Sequence, residues 1–170
     1  MVVSLFPEEL GRRAERLLAR AREKGVRIAT AESCTGGLLA ALLTEIPGSS
    51  DVVERGFVTY SNQAKTELVE VPAEVIARHG AVSPEVARAM ATGALVRSAA
   101  DIAVSVTGVA GPGGGSQAKP VGLVEFACAR RDGSFTLATE RFGDVGRTQV
   151  RLAAVGRALT LLEHAVGGES

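Results

Sequence analysis

One stretch of the chain decides its fold class, because residues 26–46 read VRIATAESCTGGLLAALLTEI. Its first part, 26–31, is typical of a short strand. After a turn, residues 35–46 are apolar on nearly all sides, which predicts a buried helix that ends at Pro47. A strand followed directly by a buried helix is the repeating unit of an α/β protein.

The alternation continues on both sides of this unit. An amphipathic pattern predicts a helix over 7–24 before it. After it, the pattern predicts a strand, three helices, three strands and a closing helix, over 52–60, 62–69, 72–78, 84–98, 102–107, 121–129, 135–142 and 145–165. The last two strands flank Arg131-Asp132-Gly133-Ser134, which indicates a hairpin with a tight turn. We therefore expect a single three-layer α/β/α domain over residues 1–170, with a mixed β-sheet that includes this C-terminal hairpin.

Length and composition exclude several classes of protein. A chain of 170 residues predicts one domain with its own core. Its 19 Lys and Arg balance 19 Asp and Glu, and it has one Tyr, five Phe and no Trp. Proteins that bind the nucleic-acid backbone need clustered, unopposed cations, and single strands need aromatic rings for stacking. We therefore expect no nucleic-acid partner.

The sequence also gives expectations for the cellular compartment of the protein and for bound metals. The longest apolar stretch, 36–46, is too short to span a bilayer, and residues 7–9 interrupt the apolar start that a secretory signal would need. Two cysteines make no disulfide framework. The two histidines, His79 and His164, have no neighbouring metal-ligand pattern. We expect a cytoplasmic protein without a membrane partner, a metal or a cofactor.

The turn at residues 32–37 is the first candidate for chemistry, because it joins the predicted strand to the buried helix. Two glycines in a helix's first turn cost about 1 kcal/mol each relative to alanine. One explanation is that a ligand approaches the N–H groups of the helix start, with Ser33 exposed as a nucleophile and Cys34 competing for that role. The alternative is that Ser33 or Thr35 merely caps the helix and the glycines allow close packing.

Two further segments have the chemistry to hold a phosphate. Residues 108–115 form a glycine-rich run after a buried strand, where open α/β sheets bind ligands. The run fails the dinucleotide fingerprint because Ser116 stands in place of the third glycine, so a plain surface loop is the alternative. Arg147, at the start of the last predicted helix, has a planar fork that suits a phosphate or a carboxylate. A solvated surface arginine is the alternative there.

Lys65 is the candidate general base. It falls in the early turns of the helix predicted over 62–69, where the positive end of the helix dipole disfavours a charged ammonium. Only three of the 19 basic residues are lysines. Because arginine cannot lose its proton, a position that needs a base resists replacement by arginine.

Longer motifs in and around these segments share the pattern of one known family. They are AESCTGG at 31–37, GSS at 48–50, RGFVTYSN at 55–62, HGAVS at 79–83, TGVAGP at 107–112 and GGS at 114–116. Over about residues 10–162 the chain resembles the C-terminal domain of CinA-type (competence/damage-inducible) proteins. That family includes stand-alone nicotinamide-nucleotide amidohydrolases.

The resemblance implies hydrolysis of the carboxamide of nicotinamide mononucleotide to nicotinate mononucleotide and ammonia, in the salvage of pyridine nucleotides, without a cofactor. It implies catalytic roles for Ser33, Lys65, Tyr60 and Ser50. Ser33 is assigned as the nucleophile and Lys65 as its base, although two serines and one lysine also admit Ser50 as the nucleophile. The residues expected to bind substrate are Thr35, Gly36, Gly37, Thr107, Gly108, Gly111 and Arg147.

Two hypotheses of different class follow. The first is an amidohydrolase whose partner is the small-molecule substrate, and which we expect to form a homo-oligomer. The second is a nucleotide-binding module without turnover, which would use the helix start and the glycine run to hold phosphate. Ser33, Tyr60 and Lys65 favour the enzyme, because a pure binding module needs no neutral lysine.

Overall fold

A computed structural model describes residues 3–168, and in this range six α-helices surround one five-stranded sheet. A short 3₁₀ turn at Ser49–Asp51 precedes the second strand. In chain order the elements are α1 (Glu8–Lys24), β1 (Ile28–Glu32), α2 (Leu38–Glu45), β2 (Val53–Val58), α3 (Asn62–Val69), α4 (Ala73–His79), α5 (Pro84–Val96), β3 (Ile102–Gly108), β4 (Leu123–Arg130), β5 (Phe135–Arg141) and α6 (Arg147–Gly167).

The sheet is mixed, as predicted. Its strand order is β2-β1-β3-β4-β5. The first three strands of that order run parallel, whereas β4 is antiparallel to both β3 and β5. Strands β4 and β5 form the predicted hairpin, and Gly133 adopts a φ of +90° in its turn. The carboxyl ends of β1, β2 and β3 therefore lie together at one edge of the sheet.

Helices cover both faces of the sheet and bury two separate apolar clusters, which confirms the three-layer prediction. On one face, α1, α2 and α6 bury large side chains such as Leu18, Leu42 and Leu159 against β3 and β4. On the other face, α3, α4 and α5 pack against the alanines of the strands. Small strand residues let α5 lie close to the sheet. Burial of this apolar surface is the main force that holds the layers together.

The alternation of side chains along β1 determines which face of the sheet each side chain near the site reaches. Ile28 belongs to the cluster under α1, α2 and α6, whereas Ala29 and Ala31 belong to the cluster under α5. Successive residues of a strand point to opposite faces. The Ser33 amide donates to the Val106 carbonyl at 2.9 Å and so extends the pairing of β1 with β3 by one residue.

The start of α2 corrects the sequence analysis. The helix begins at Leu38, not at residue 35, because Gly36 and Gly37 adopt left-handed φ angles of +56° and +99°. Glycine tolerates these angles at no steric penalty, so the turn continues for two more residues. The α3 bounds, in contrast, are those predicted. No helix within residues 3–168 is long and apolar enough to cross a membrane.

Candidate active site

A cleft of about 280 Å³ opens at the edge of the sheet where the parallel strands end. Ser33 follows β1, Tyr60 follows β2 and Gly108 ends β3. This is the edge at which open α/β sheets bind their ligands. The cleft is lined by Ser33, Cys34, Tyr60, Asn62, Lys65, Ala81, Gly108, Val109, Ala110, Gly111, Gly113, Gly114 and Arg147.

Ser33 and Lys65 are in hydrogen-bond contact at the base of this cleft. The Lys65 Nζ atom lies 3.1 Å from the Ser33 Oγ atom. Helix α3 positions the lysine: the Ser61 hydroxyl caps the helix by accepting the Ala64 amide at 3.0 Å. This cap fixes the first turn of α3, so that Lys65 faces the turn after β1.

The surroundings of Lys65 favour a neutral amine. Its side chain is only 1% exposed, and burial lowers the pKa of Lys65 below its ordinary value. Nζ also lies 3.0 Å from the Thr59 carbonyl oxygen and 3.3 Å from the Tyr60 carbonyl oxygen. A neutral amine has two N–H groups and one lone pair, so it can donate to both carbonyls and accept the Ser33 hydroxyl proton. The pair can therefore activate Ser33 as a nucleophile.

Cys34 is a poor competitor for the nucleophile's role. It lines the cleft beside Ser33, but burial raises the pKa of its thiol to about 12. The reactive form of a cysteine is the thiolate, which is scarce at neutral pH when the pKa is that high. The raised thiol pKa, together with the contact between Lys65 and Ser33, therefore favours Ser33 over Cys34.

Arg147 supplies the free positive charge of the cleft. In the described part of the chain, no Asp or Glu lines the cleft. The Arg147 guanidinium donates to the Gly111 carbonyl oxygen at 2.8 Å and to the Tyr60 hydroxyl oxygen at 3.1 Å. Because Tyr60 accepts this hydrogen bond, its own O–H remains free to donate. The side of the cleft formed by α6 and the glycine-rich run thus suits an anionic group.

Ser50 does not lie in the cleft. It is an exposed residue of the Ser49–Asp51 turn before β2, whereas Tyr60 lies after β2. The six residues of β2 span about 20 Å at roughly 3.3 Å per residue, so Ser50 is at the opposite edge of the sheet from Lys65. Of the two serines that the sequence left open, only Ser33 contacts the lysine.

Four residues expected to bind substrate lie outside the cleft. Substrate binding by Thr35, Gly36 and Gly37 stays a prediction, but the structure removes one reason for it. The Glu32 carboxylate accepts the first free amides of α2, from Leu39 at 2.8 Å and Ala40 at 3.1 Å, so this helix start offers no site for a phosphate. The fourth, Thr107, is buried, and its hydroxyl donates at 2.8 Å to the carbonyl of Ala81, which does line the cleft.

Sequence reasoning missed two charged residues that hold the Ser33 turn. Glu32 caps α2 from the sheet, and Arg151 donates to the Cys34 and Thr35 carbonyl oxygens at 3.1 and 3.2 Å. A spacing of four from Arg147 places Arg151 on the same face of α6, which is a signal the sequence carried. Within residues 3–168, no cluster of three or more His, Cys, Asp or Glu side chains could hold a metal ion.

Comparison with known proteins identifies the relatives of this chain. A family model described as the CinA C-terminal domain matches residues 11–166. A CinA-like protein of Mycolicibacterium gilvum is 56% identical over 144 residues, which are 85% of this chain and 34% of the relative. A putative competence-damage inducible protein of Caldicellulosiruptor bescii is 48% identical over the same shares of the two chains. The chain thus spans about a third of the length of the curated relatives that it matches.

Solved structures match over nearly their whole length. The competence/damage inducible protein CihA of Agrobacterium tumefaciens has a TM-score of 0.94 and 52% identity, with 97% of this chain and 99% of that chain covered. A CinA superfamily protein of Klebsiella pneumoniae has a TM-score of 0.89 and 36% identity, with 94% and 98% covered. The residues that line the cleft all fall within the 11–166 range of the family match.

Proposed function

The chain belongs to the CinA C-terminal domain family, and from this premise we propose that it is a nicotinamide-nucleotide amidohydrolase. The substrate is nicotinamide mononucleotide, and the products are nicotinate mononucleotide and ammonia. The observation that carries the proposal is the buried contact of 3.1 Å between Ser33 Oγ and Lys65 Nζ. A pure binding site has no need of a buried lysine, its pKa lowered by burial, next to a serine.

The first half of the reaction forms an acyl-enzyme. The Ser33 hydroxyl proton passes to the neutral Lys65 amine as Oγ adds to the carboxamide carbon. The tetrahedral intermediate then collapses: the C–N bond breaks, and Lys65 returns the proton to the departing nitrogen. Ammonia leaves, and the nicotinoyl group remains on Ser33 as an ester.

Water completes the reaction by the same route. Lys65, neutral again, takes a proton from a water molecule as the water oxygen adds to the ester carbon. Collapse of this second intermediate breaks the bond to Oγ, and Lys65 returns the proton to Ser33. The released product is the nicotinate carboxylic acid, which ionises in water, so the net reaction consumes one water molecule and restores both residues.

The side of the cleft formed by α6 and the glycine-rich run recognises the substrate in this proposal. We assign the phosphate to Arg147, because it is the exposed cation of a lining that has no carboxylate within residues 3–168. Its two contacts, with Gly111 and Tyr60, leave further guanidinium N–H groups for phosphate oxygens. The Tyr60 O–H is left to donate to the substrate.

Ammonia release from nicotinamide mononucleotide by the purified chain tests the proposal. We expect stoichiometric ammonia and nicotinate mononucleotide from the wild type, unchanged after prolonged incubation with EDTA, and none from Ser33→Ala. Ser50→Ala, at the opposite edge of the sheet, is the matched control and should retain wild-type turnover. Binding of the mononucleotide without ammonia release would contradict the proposal and favour a nucleotide-binding module.

A further inference from the structure

We infer that the Cys34 backbone amide stabilises the oxyanion of the tetrahedral intermediate, and that Arg151 is the positioning residue that orients this amide. The inference rests on the proposed function. The Ser33–Lys65 pair does not explain how the negative charge that develops on the carbonyl oxygen is stabilised. The inference assigns a group to that task. Removing a single such donor from an enzyme typically costs about 10²–10³ in kcat.

The Cys34 amide is in the right place for this role. Cys34 follows the nucleophile directly and lines the cleft. The N–H of the residue after the nucleophile is a common oxyanion donor where a strand turns into a helix. Within residues 3–168, this amide donates to no backbone or side-chain oxygen of another residue, and its one acceptor is the sulfur of the Cys34 thiol itself. Thiol sulfur is a weak acceptor, so an amide beside a nucleophile that has no oxygen acceptor can take the oxyanion in its place.

Two hydrogen bonds from Arg151 hold the turn from the α6 side. Its Nε atom donates to the Cys34 carbonyl oxygen at 3.1 Å, and its Nη2 atom donates to the Thr35 carbonyl oxygen at 3.2 Å. Arg151 does not line the cleft, so it has no contact with substrate in this arrangement. It lies one helical turn after Arg147 on α6.

The planarity of the peptide groups carries this constraint to the Cys34 amide. In a trans peptide the C=O and the following N–H point in opposite directions. Arg151 fixes the Thr35 carbonyl and with it the Gly36 N–H, which donates to the Ser33 carbonyl oxygen at 3.0 Å. The Ser33 carbonyl in turn shares its peptide plane with the Cys34 N–H. The guanidinium thus sets the direction of this N–H through two peptide planes.

The same chain of hydrogen bonds makes the amide a better donor. Hydrogen bonds in series polarise one another, and this series begins at a permanent positive charge. Lysine at this position would keep the charge but lose the planar fork that holds two carbonyls at once. The geometry therefore predicts that charge alone does not replace Arg151.

The rate at which a fluorophosphonate reagent labels Ser33 tests the inference without depending on the natural substrate. In this reaction Oγ bonds to phosphorus, the P–F bond breaks, fluoride leaves and Lys65 takes the hydroxyl proton. Negative charge develops on the phosphoryl oxygen as it does on the amide oxygen. Intact-mass spectrometry follows the adduct over time in the wild type, Arg151→Met and Arg151→Lys. Arg157→Met is the matched control, because it removes a half-buried arginine of the same helix that pairs with Glu140 at 2.8 Å.

We expect Arg151→Met to be labelled about 10²-fold more slowly, which is the loss that a small misplacement of a catalytic group causes. Arg151→Lys should recover part of that loss, and Arg157→Met should stay within about twofold of the wild type. The midpoint of the rate against pH should not move, because Lys65 is untouched. A structural collapse would instead shift this midpoint or lower the melting temperature as well.

Labelling of folded Arg151→Met at the wild-type rate would overturn the inference, as would equal slowing in Arg157→Met. If Arg151→Met does not fold, Arg151→Gln takes its place under the same criteria. Ammonia release from nicotinamide mononucleotide is measured separately. If the wild type releases ammonia but its labelling rate does not depend on Arg151, only the inference is contradicted. If the labelling rate depends on Arg151 but the wild type releases no ammonia, only the proposed function is contradicted.

Discussion

Glu32 and Ser33 are neighbours in the chain, yet their side chains serve opposite faces of the sheet. The Glu32 carboxylate accepts the Leu39 and Ala40 amides at the start of α2. The Ser33 hydroxyl contacts Lys65 of α3, which packs on the other face. The alternation of a strand thus places a helix cap and the proposed nucleophile in consecutive positions.

Glu32→Gln should destabilise the fold more than a surface change of the same kind. One neutral amide oxygen replaces two carboxylate oxygens, so one N–H of α2 loses its acceptor and the other keeps only a neutral one. Hydrogen bonds to charged groups contribute about 1.5–3 kcal/mol, and we expect a loss of that order in the free energy of unfolding. Glu8→Gln, at the exposed start of α1, is the control and should change it by less than about 1 kcal/mol. Denaturant titration measures both, and equal losses would contradict the role of Glu32.

Ser33→Ala should abolish ammonia release, whereas Cys34→Ala should leave most of it. The thiol of Cys34 has its pKa raised to about 12 by burial and stays protonated at working pH. Its side-chain loss should show instead as a modest fall in melting temperature, because it fills buried space. Steady-state assays of both variants decide the matter, and the reverse pattern would assign the reaction to the cysteine.

Arg147→Ala should weaken apparent affinity for nicotinamide mononucleotide without a comparable loss of kcat. The guanidinium, to which we assign the phosphate, contacts Gly111 and Tyr60 and not the Ser33–Lys65 pair. Free nicotinamide, which has no phosphate, should be a very poor substrate of the wild type, and Arg147→Ala should hardly affect that residual rate. Comparison of KM and kcat for the two substrates tests this, and equal turnover of free nicotinamide by the wild type would contradict phosphate recognition.

Lys65→Met should change the pH dependence of stability in a defined direction. Burial lowers the pKa of Lys65 in the folded state below the ordinary value of 10.5. Between the two values the unfolded chain binds one proton more than the folded chain, so wild-type stability rises with pH in this window. The variant lacks this slope. Its free energy of unfolding relative to the wild type should therefore fall as pH rises toward 10.5, and a difference that does not vary with pH would contradict a depressed pKa.

The sequence predicted the layers of the fold because their causes are local. The apolar face of α1, the Ser61 cap of α3 and the Gly133 turn each act within a few residues. The start of α2 differs from the prediction because two glycines extend the turn, and because the Glu32 carboxylate, seven residues before Leu39, accepts the first helix amides. Propensity along the chain contains no record of that contact.

The sequence allowed the types of residue in the candidate site to be predicted, but not which of the candidate residues lie together in the folded chain. Lys65 could be singled out because a lysine in a chain rich in arginine, at a helix start, is a chemical signal. Ser50 could not be excluded, because only the pairing of β2 with β1 shows that the residues before β2 lie at the other edge. The Cys34 and Thr35 carbonyls gave no sequence signal, so their contacts with Arg151 required the folded chain.

The kcat of Lys65→Arg with nicotinamide mononucleotide tests the central claim most directly. Arginine keeps the positive charge and most of the length, but it stays protonated at any ordinary pH. If Lys65 is the base that activates Ser33, kcat should fall by about 10²–10⁴, as for loss of a general base, while the measured binding of the mononucleotide changes little. Lys24→Arg, at the end of α1, should match the wild type. A Lys65→Arg variant that releases ammonia at a rate near that of the wild type would contradict the Ser33–Lys65 mechanism.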